Sequence, residues 1–144
     1  MSKSIMDAVR RWLMTCPTLD RARIDIDCLG AAPGQYSIDG EPTEAVVKRY
    51  LDGGSVRKMS FAVASREFYG PDIAGQNDNL AAFEALVDWM EAQIARRNVP
   101  DLGPGKRVRT IRAVSTAYPV LVDPDTGTAR YQISCELIYY KEAM

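Results

Sequence analysis

The chain contains no histidine. This removes Ser-His-Asp and Cys-His nucleophilic catalysis, histidine-based acyl transfer and every metal site that uses an imidazole. It also removes the side chain best suited to moving a proton near neutral pH. Cysteine is scarce. Cys16, Cys28 and Cys135 are far apart and form no C-x-x-C pair, so neither a zinc site nor a redox pair is signalled and buried reduced thiols are expected. No apolar run approaches the roughly 20 residues that span a bilayer. The opening MSKSIMDAVRRWLMTCP is interrupted by Asp7, Arg10 and Arg11, which leaves no signal-peptide core, and cytosolic synthesis is expected. Neither sign of charge dominates. A formal net charge of -1 gives no global argument for binding nucleic acid or an anionic membrane.

What is present begins with one long helical period. A chain of 144 residues is expected to form a single domain over 1–144, large enough to fold without disulfides or metal. From Asn79 to Arg97, the residues Leu80, Phe83, Leu86, Val87, Met90 and Ile94 recur every three or four positions and form one stripe. Glu84, Asp88 and Glu91 fall off it. Asn77, Asp78 or Asn79 is expected to cap this helix, and Asn98 with Pro100 to end it. A shorter helix is predicted from Ser4 to Thr15, capped by Ser4 with Asp7 three residues on, and stopped by Pro17.

The remaining patterned segments alternate with period two. Arg23 to Leu29 reads as a strand with Ile24, Ile26 and Cys28 on one face and Asp25 and Asp27 on the other. Gln35 to Asp39 is a short extended piece. Ala45 to Leu51 and Ser55 to Glu67 form a hairpin around Asp52-Gly53-Gly54, whose glycines supply positive φ. Arg107 to Leu121 and Thr128 to Tyr140 form a second hairpin around Asp123-Pro124-Asp125-Thr126-Gly127, with Pro119 marking an irregular or edge position. The expected order is α-β-β-β-α-β-β. It describes an α+β fold with a mainly antiparallel sheet of about five strands and two helices packed on one face.

Candidate sites are few. Asp25 and Asp27 share a strand face, as a small metal-dependent hydrolase would require, but a solvated strand face is the plainer reading. Lys106, Arg107, Arg109 and Arg112 form one basic cluster, and Lys48, Arg49, Arg57 and Lys58 another. Phosphate contact and charge balance are both open to them. Tyr131, Tyr139 and Tyr140 beside Arg130 could stack bases or anchor a core. The loop DLGPGK at 101–106 lacks the spacing of a phosphate loop. The polar sheet face is unusual in carrying small residues, Ser60, Ala62 and Ala64, with Gln132 and Ser134. Small side chains let another element approach, and two long hairpins offer edges to a neighbouring subunit.

Four segments, MSKSIMDAVRRWLMTCP, YSID at 36–39, VKRYLDGGSVRKMSFAVASREFYG at 47–70 and ARYQISCELIYY at 129–140, together resemble the minor capsid or tail terminator proteins of long-tailed phages and prophages. The resemblance implies a structural, non-enzymatic protein with no cofactor and no catalytic residues. It implies a virion location and a ring of copies, typically hexameric, on the head-proximal end of the tail tube. That ring ends tail polymerisation and presents a surface for head joining. The implied partners are the tail tube protein, a head-completion or connector protein, and DNA passing through the lumen without sequence-specific contact. On this reading Lys58, Ser60, Arg66, Arg130 and Gln132, which share the face not needed for the core, are the subunit-interface or lumen candidates. A head-completion or connector role in the neck is the nearest alternative. A metal-dependent hydrolase using Asp25 and Asp27 is the alternative from a different class.

Overall fold

In the computed structural model, residues 4–19, 24–26, 35–42, 45–68, 73–125 and 127–143 are described, apart from the side chains of 18, 68 and 73–79. Two strands of fourteen residues, β4 (Ser55–Phe68) and β7 (Thr128–Lys141), form the spine. They pair antiparallel without a register break from Ser55 opposite Lys141 to Phe68 opposite Thr128. β1 (Ile24–Ile26), β2 (Tyr36–Glu41) and β3 (Val46–Arg49) lie to one side. β5 (Lys106–Ala113) and β6 (Tyr118–Asp123) lie to the other. The helices are α1 (Ile5–Leu13) and α2 (Ile73–Ala95).

The α+β class and the mostly antiparallel sheet agree with expectation, while the strand count and order do not. Among the described residues there are seven strands, four of them before α2. β2 and β3 both pair with β4, and β5 and β6 both pair with β7, so each pair runs end to end along one side of the spine. The predicted single strand over 107–121 is broken at 114–117. Ser115 fills the gap there. Its Oγ accepts from the Ser134 amide at 2.9 Å, while the Val114 amide donates to the Ser134 carbonyl at 2.8 Å. Register shifts occur at Val47, Arg109 and Val120, one in each of three flanking strands. A long twisted ladder asks for such breaks, because an extra residue lets a neighbour follow the coil. β1 runs parallel to β2, and Ile26 is exposed rather than buried because it lies at the margin of the sheet. Asp27 and Cys28 lie outside the described residues.

Both helices cover the face that carries Phe61, Val63, Ile133, Cys135 and Leu137. Val9, Trp12 and Leu13 of α1 enter this core from one side, and Phe83, Leu86 and Met90 of α2 from the other. The two are joined by Trp12 and Trp89, whose ring centroids lie 4.8 Å apart. Trp12 Nε1 donates to the Asn98 carbonyl at 2.9 Å, so the buried indole is satisfied. Ser4 caps α1 as expected, its Oγ accepting from the Asp7 amide at 3.0 Å. α2 instead begins at Ile73, so Asn77, Asp78 and Asn79 lie inside it and none is the cap.

The end of α2 depends on Arg97. Its φ is 59°, a left-handed conformation that a glycine would adopt at lower cost. The side chain compensates by donating to the carbonyls of Val108 at 3.1 Å and Arg109 at 3.3 Å, which ties α2 to β5. Arg97→Ala keeps the backbone strain and loses both bonds, whereas Arg97→Gly relieves the strain. Urea unfolding is therefore expected to find the alanine variant less stable than the glycine variant by about 1 kcal/mol.

Candidate functional site

The expected interface residues do share one face. Cross-strand partners set Lys58 opposite Ile138, Ser60 opposite Glu136, Ala64 opposite Gln132 and Arg66 opposite Arg130. They do not form one compact site. Lys58 and Arg66 are eight residues apart on an extended strand, a span of about 27 Å. All five are half-buried.

Arg130 and Gln132 are engaged within the chain. Arg130 reaches over β4 and forms an ion pair with Asp39 on β2, two strands away. Its Nε donates to Gln132 Oε1 at 2.9 Å, and Gln132 Nε2 donates to the Tyr118 hydroxyl of β6 at 3.0 Å. Ser37 Oγ donates to the other Asp39 oxygen at 2.5 Å. A single hydrogen-bonded chain thus crosses the sheet from β2 to β6. It explains the small residues at Ala62 and Ala64, which are buried on this face. They clear the path that the guanidinium takes across β4. The close-approaching element anticipated from their size is, at this end of the sheet, the chain's own arginine. Asp39 stood in the YSID segment, but nothing local marked its partner 91 residues later.

The two basic clusters, distant in sequence, meet at one end of the sheet. Ser55, Lys141 and Lys106 are neighbours across β4, β7 and β5, and this places Lys48, Arg49 and Arg57 at the same end as Arg107. Arg107 lies 5.5 Å from the Tyr140 ring centre, and Tyr140 packs against Tyr50, which Lys48 approaches at 5.2 Å. Tyr131 and Tyr139 are on the opposite face and buried, so the three tyrosines do not form a joint stacking surface. A Cβ at Gly54 would meet the Tyr140 hydroxyl at 2.2 Å, so any larger residue there displaces that ring.

Apolar side chains are exposed in two places. β6 carries Val120 at 50 %, Leu121 at 60 % and Val122 at 43 % exposure, with Tyr118 beside them. β3 and its turn carry Val47 at 57 %, with Tyr50 and the fully exposed Leu51. The sequence places Val120 and Leu121 at the end of the strand expected over 107–121. Pro119 marks this end as irregular or an edge, and β6 pairs with β7 alone, with a register shift after Pro119.

Of the carboxylate pair at 25 and 27, Asp25 lies on β1, and Asp27 is outside the described residues. Among the described residues, no group of three or more acidic or cysteine side chains could hold a metal. The DLGPGK loop is an ordinary connection. Leu102 is buried and the Gly105 carbonyl accepts from the Glu142 amide at 2.7 Å. No protein-family model matches the chain, and no curated protein matches its sequence.

Two groups near the Phe68 end of β4 have pKa values shifted by burial. Burial raises the Tyr36 phenol to about 12, with Glu67 adding to the effect. Burial also raises Glu67 above the ordinary carboxylate value, opposed by the Ser65 hydroxyl. A raised carboxyl favours the folded state most when protonated, and that contribution is lost as pH climbs through the folded value. Glu67→Gln is therefore expected to be more stable than the parent at pH 7 and to lose less stability between pH 4.5 and neutrality, as thermal melts across that range will read. Removing the partly screened ion pair with Arg130→Ala is expected to cost about 1–2 kcal/mol in urea unfolding, because Asp39 is left half-buried without its cation.

Proposed function

We propose that this chain is a structural assembly subunit that forms a closed ring on the head-proximal end of a phage tail tube. There it ends tube polymerisation and supports head joining, and its place is in the virion. The observation that carries the reading is the pair of exposed apolar patches on β3 and β6, at opposite edges of one rigid sheet. An isolated subunit gains nothing by holding Val47, Leu51, Val120, Leu121 and Val122 in water, whereas a subunit with a neighbour on each side buries them. The four segments that resemble tail terminator proteins give the ring its proposed place.

The polar face contributes differently from the edges. Its Ser37–Asp39–Arg130–Gln132–Tyr118 chain stiffens the sheet between the two patches, so both are presented in a fixed relation. Lys58, Ser60 and Arg66, on the same face, remain the proposed lumen-facing residues. DNA passing a lumen lined by mixed charge and small polar groups needs no sequence-specific contact.

Negative-stain imaging and native mass spectrometry of the purified protein test this reading. Closed rings of one stoichiometry, able to cap purified tail tubes and halt their growth, are the expected result. A chain that stays monomeric at all concentrations and leaves tube growth unchanged contradicts it, and binding to a portal in place of the tube moves the role to the neck.

A further inference from the structure

We infer that copies of this chain join head to tail, with the β6 corner of one copy seated on the β3 corner of the next. The inference rests on the assembly role proposed above and names the surfaces that such a role uses.

Topology places the two corners as far apart as the sheet allows. β3 pairs with the start of β4, at Ser55 to Arg57, and β6 pairs with the start of β7, at Thr128 to Gln132. Those starts lie at opposite ends of the spine, since Ser55 faces Lys141 and Phe68 faces Thr128. β3 and β6 also lie on opposite sides of it. The exposed apolar patches therefore sit on diagonal corners, at opposite ends of a spine about 45 Å long. Because the patches lie on opposite edges of the sheet, copies meeting edge to edge can bury only one patch of each against a given neighbour. Joined head to tail, they form a heterologous contact, which closes to a ring if the rotation per copy permits.

The corners are complementary in charge as well as in hydrophobicity. Lys48 and Arg49 flank Val47, Tyr50 and Leu51, and Arg57 lies beside them. Asp123 and Asp125 stand at the tip next to Leu121 and Val122. Arg130, the cation nearest that tip across the ladder, is paired with Asp39. The other outer strand on that side is a poorer candidate. Arg97 occupies the Val108 and Arg109 carbonyls of β5, and the exposed side chains there are Arg107, Arg109 and Arg112. Pro119 has no amide to donate, and the irregularities at Val47 and Val120 spoil a flat edge. Contact is therefore made through side chains rather than by an open-ended ladder, which limits growth to the intended geometry.

Cysteine cross-linking tests the seam. Val47→Cys and Leu121→Cys are made as separate chains in a Cys28→Ser background, leaving only the buried Cys16 and Cys135. Both positions are exposed, so folding is expected to survive, and the far-ultraviolet spectrum checks it. Mild oxidation of the two chains mixed is expected to give about tenfold more disulfide-linked dimer than either chain alone, because docking raises the effective concentration of the pair. A second arm reverses charge. Arg49→Glu and Asp125→Lys are each expected to weaken self-association, and the double variant to restore it. Equal cross-linking of Leu121→Cys with itself overturns the head-to-tail seam. Oligomers in native mass spectrometry without the mixed cross-link overturn the seam and leave the assembly role standing. Monomers without it overturn both. A short DNA duplex that binds the basic corner while the mixed cross-link is absent replaces the second copy with a polyanion.

Discussion

Everything in this fold hangs on the fourteen-residue pairing of β4 with β7. Alternate side chains of the two strands build the floor of the core on one face and the polar network on the other. The helices merely close the first face, α1 over the β1–β2 side and α2 over the β5 side. So long a ladder coils, and its neighbours cannot track it without interruption. The outer strands therefore break into β2 with β3 and β5 with β6, and their irregularities fall at Val47, Arg109 and Val120. Two of those three residues are exposed valines, so the strain relief of the spine and the exposed apolar patches arise at the same positions.

The polar face serves the same spine. β2 and β7 are not neighbours, yet Asp39 and Arg130 couple them across β4, and Gln132 extends the coupling to Tyr118 on β6. A sheet tied this way resists shear between its two sides. In the proposed ring that rigidity would matter, because flexing between the two corners would blur the angle between successive copies. The basic end, with Lys48, Tyr50, Tyr140 and Arg107 stacked on one another, stiffens the β3 corner in a similar manner.

What could be read from the sequence was what is local. The stripe of Leu80, Phe83, Leu86 and Met90, the Ser4 cap, the turn at Asp52 to Gly54 and the alternation of β7 depend on residues close together in the chain. All four are found in the structure. The errors came from longer range. α2 starts six residues before its apolar period becomes clear, and helix formation there runs through polar Gln76 to Asn79. The split of 107–121 is seen only in its pairing with β7, where Ser115 in the gap accepts from the Ser134 amide. Ile26 has the right parity for burial and is exposed, because alternation reports a face but not whether anything covers its margin. Within the candidate site, the shared face of Lys58, Ser60, Arg66, Arg130 and Gln132 was legible, and the Asp39 partner was not. The exposure of Val120, Leu121 and Val122 follows from their place on an edge strand, which Pro119 alone signalled.

In the proposed assembly the subunit seams lie at the two diagonal corners, while the Arg130–Asp39 network of the polar face stays within each subunit. Electron microscopy of the assembled oligomer at side-chain resolution tests this most directly. The expected seam has Leu121 and Val122 of one copy covering Val47 and Leu51 of the next, with Arg130 still paired to Asp39 inside each subunit. A seam built across the polar face, with the Arg130–Asp39 pair opened and the β3 and β6 corners left in solvent, would contradict it.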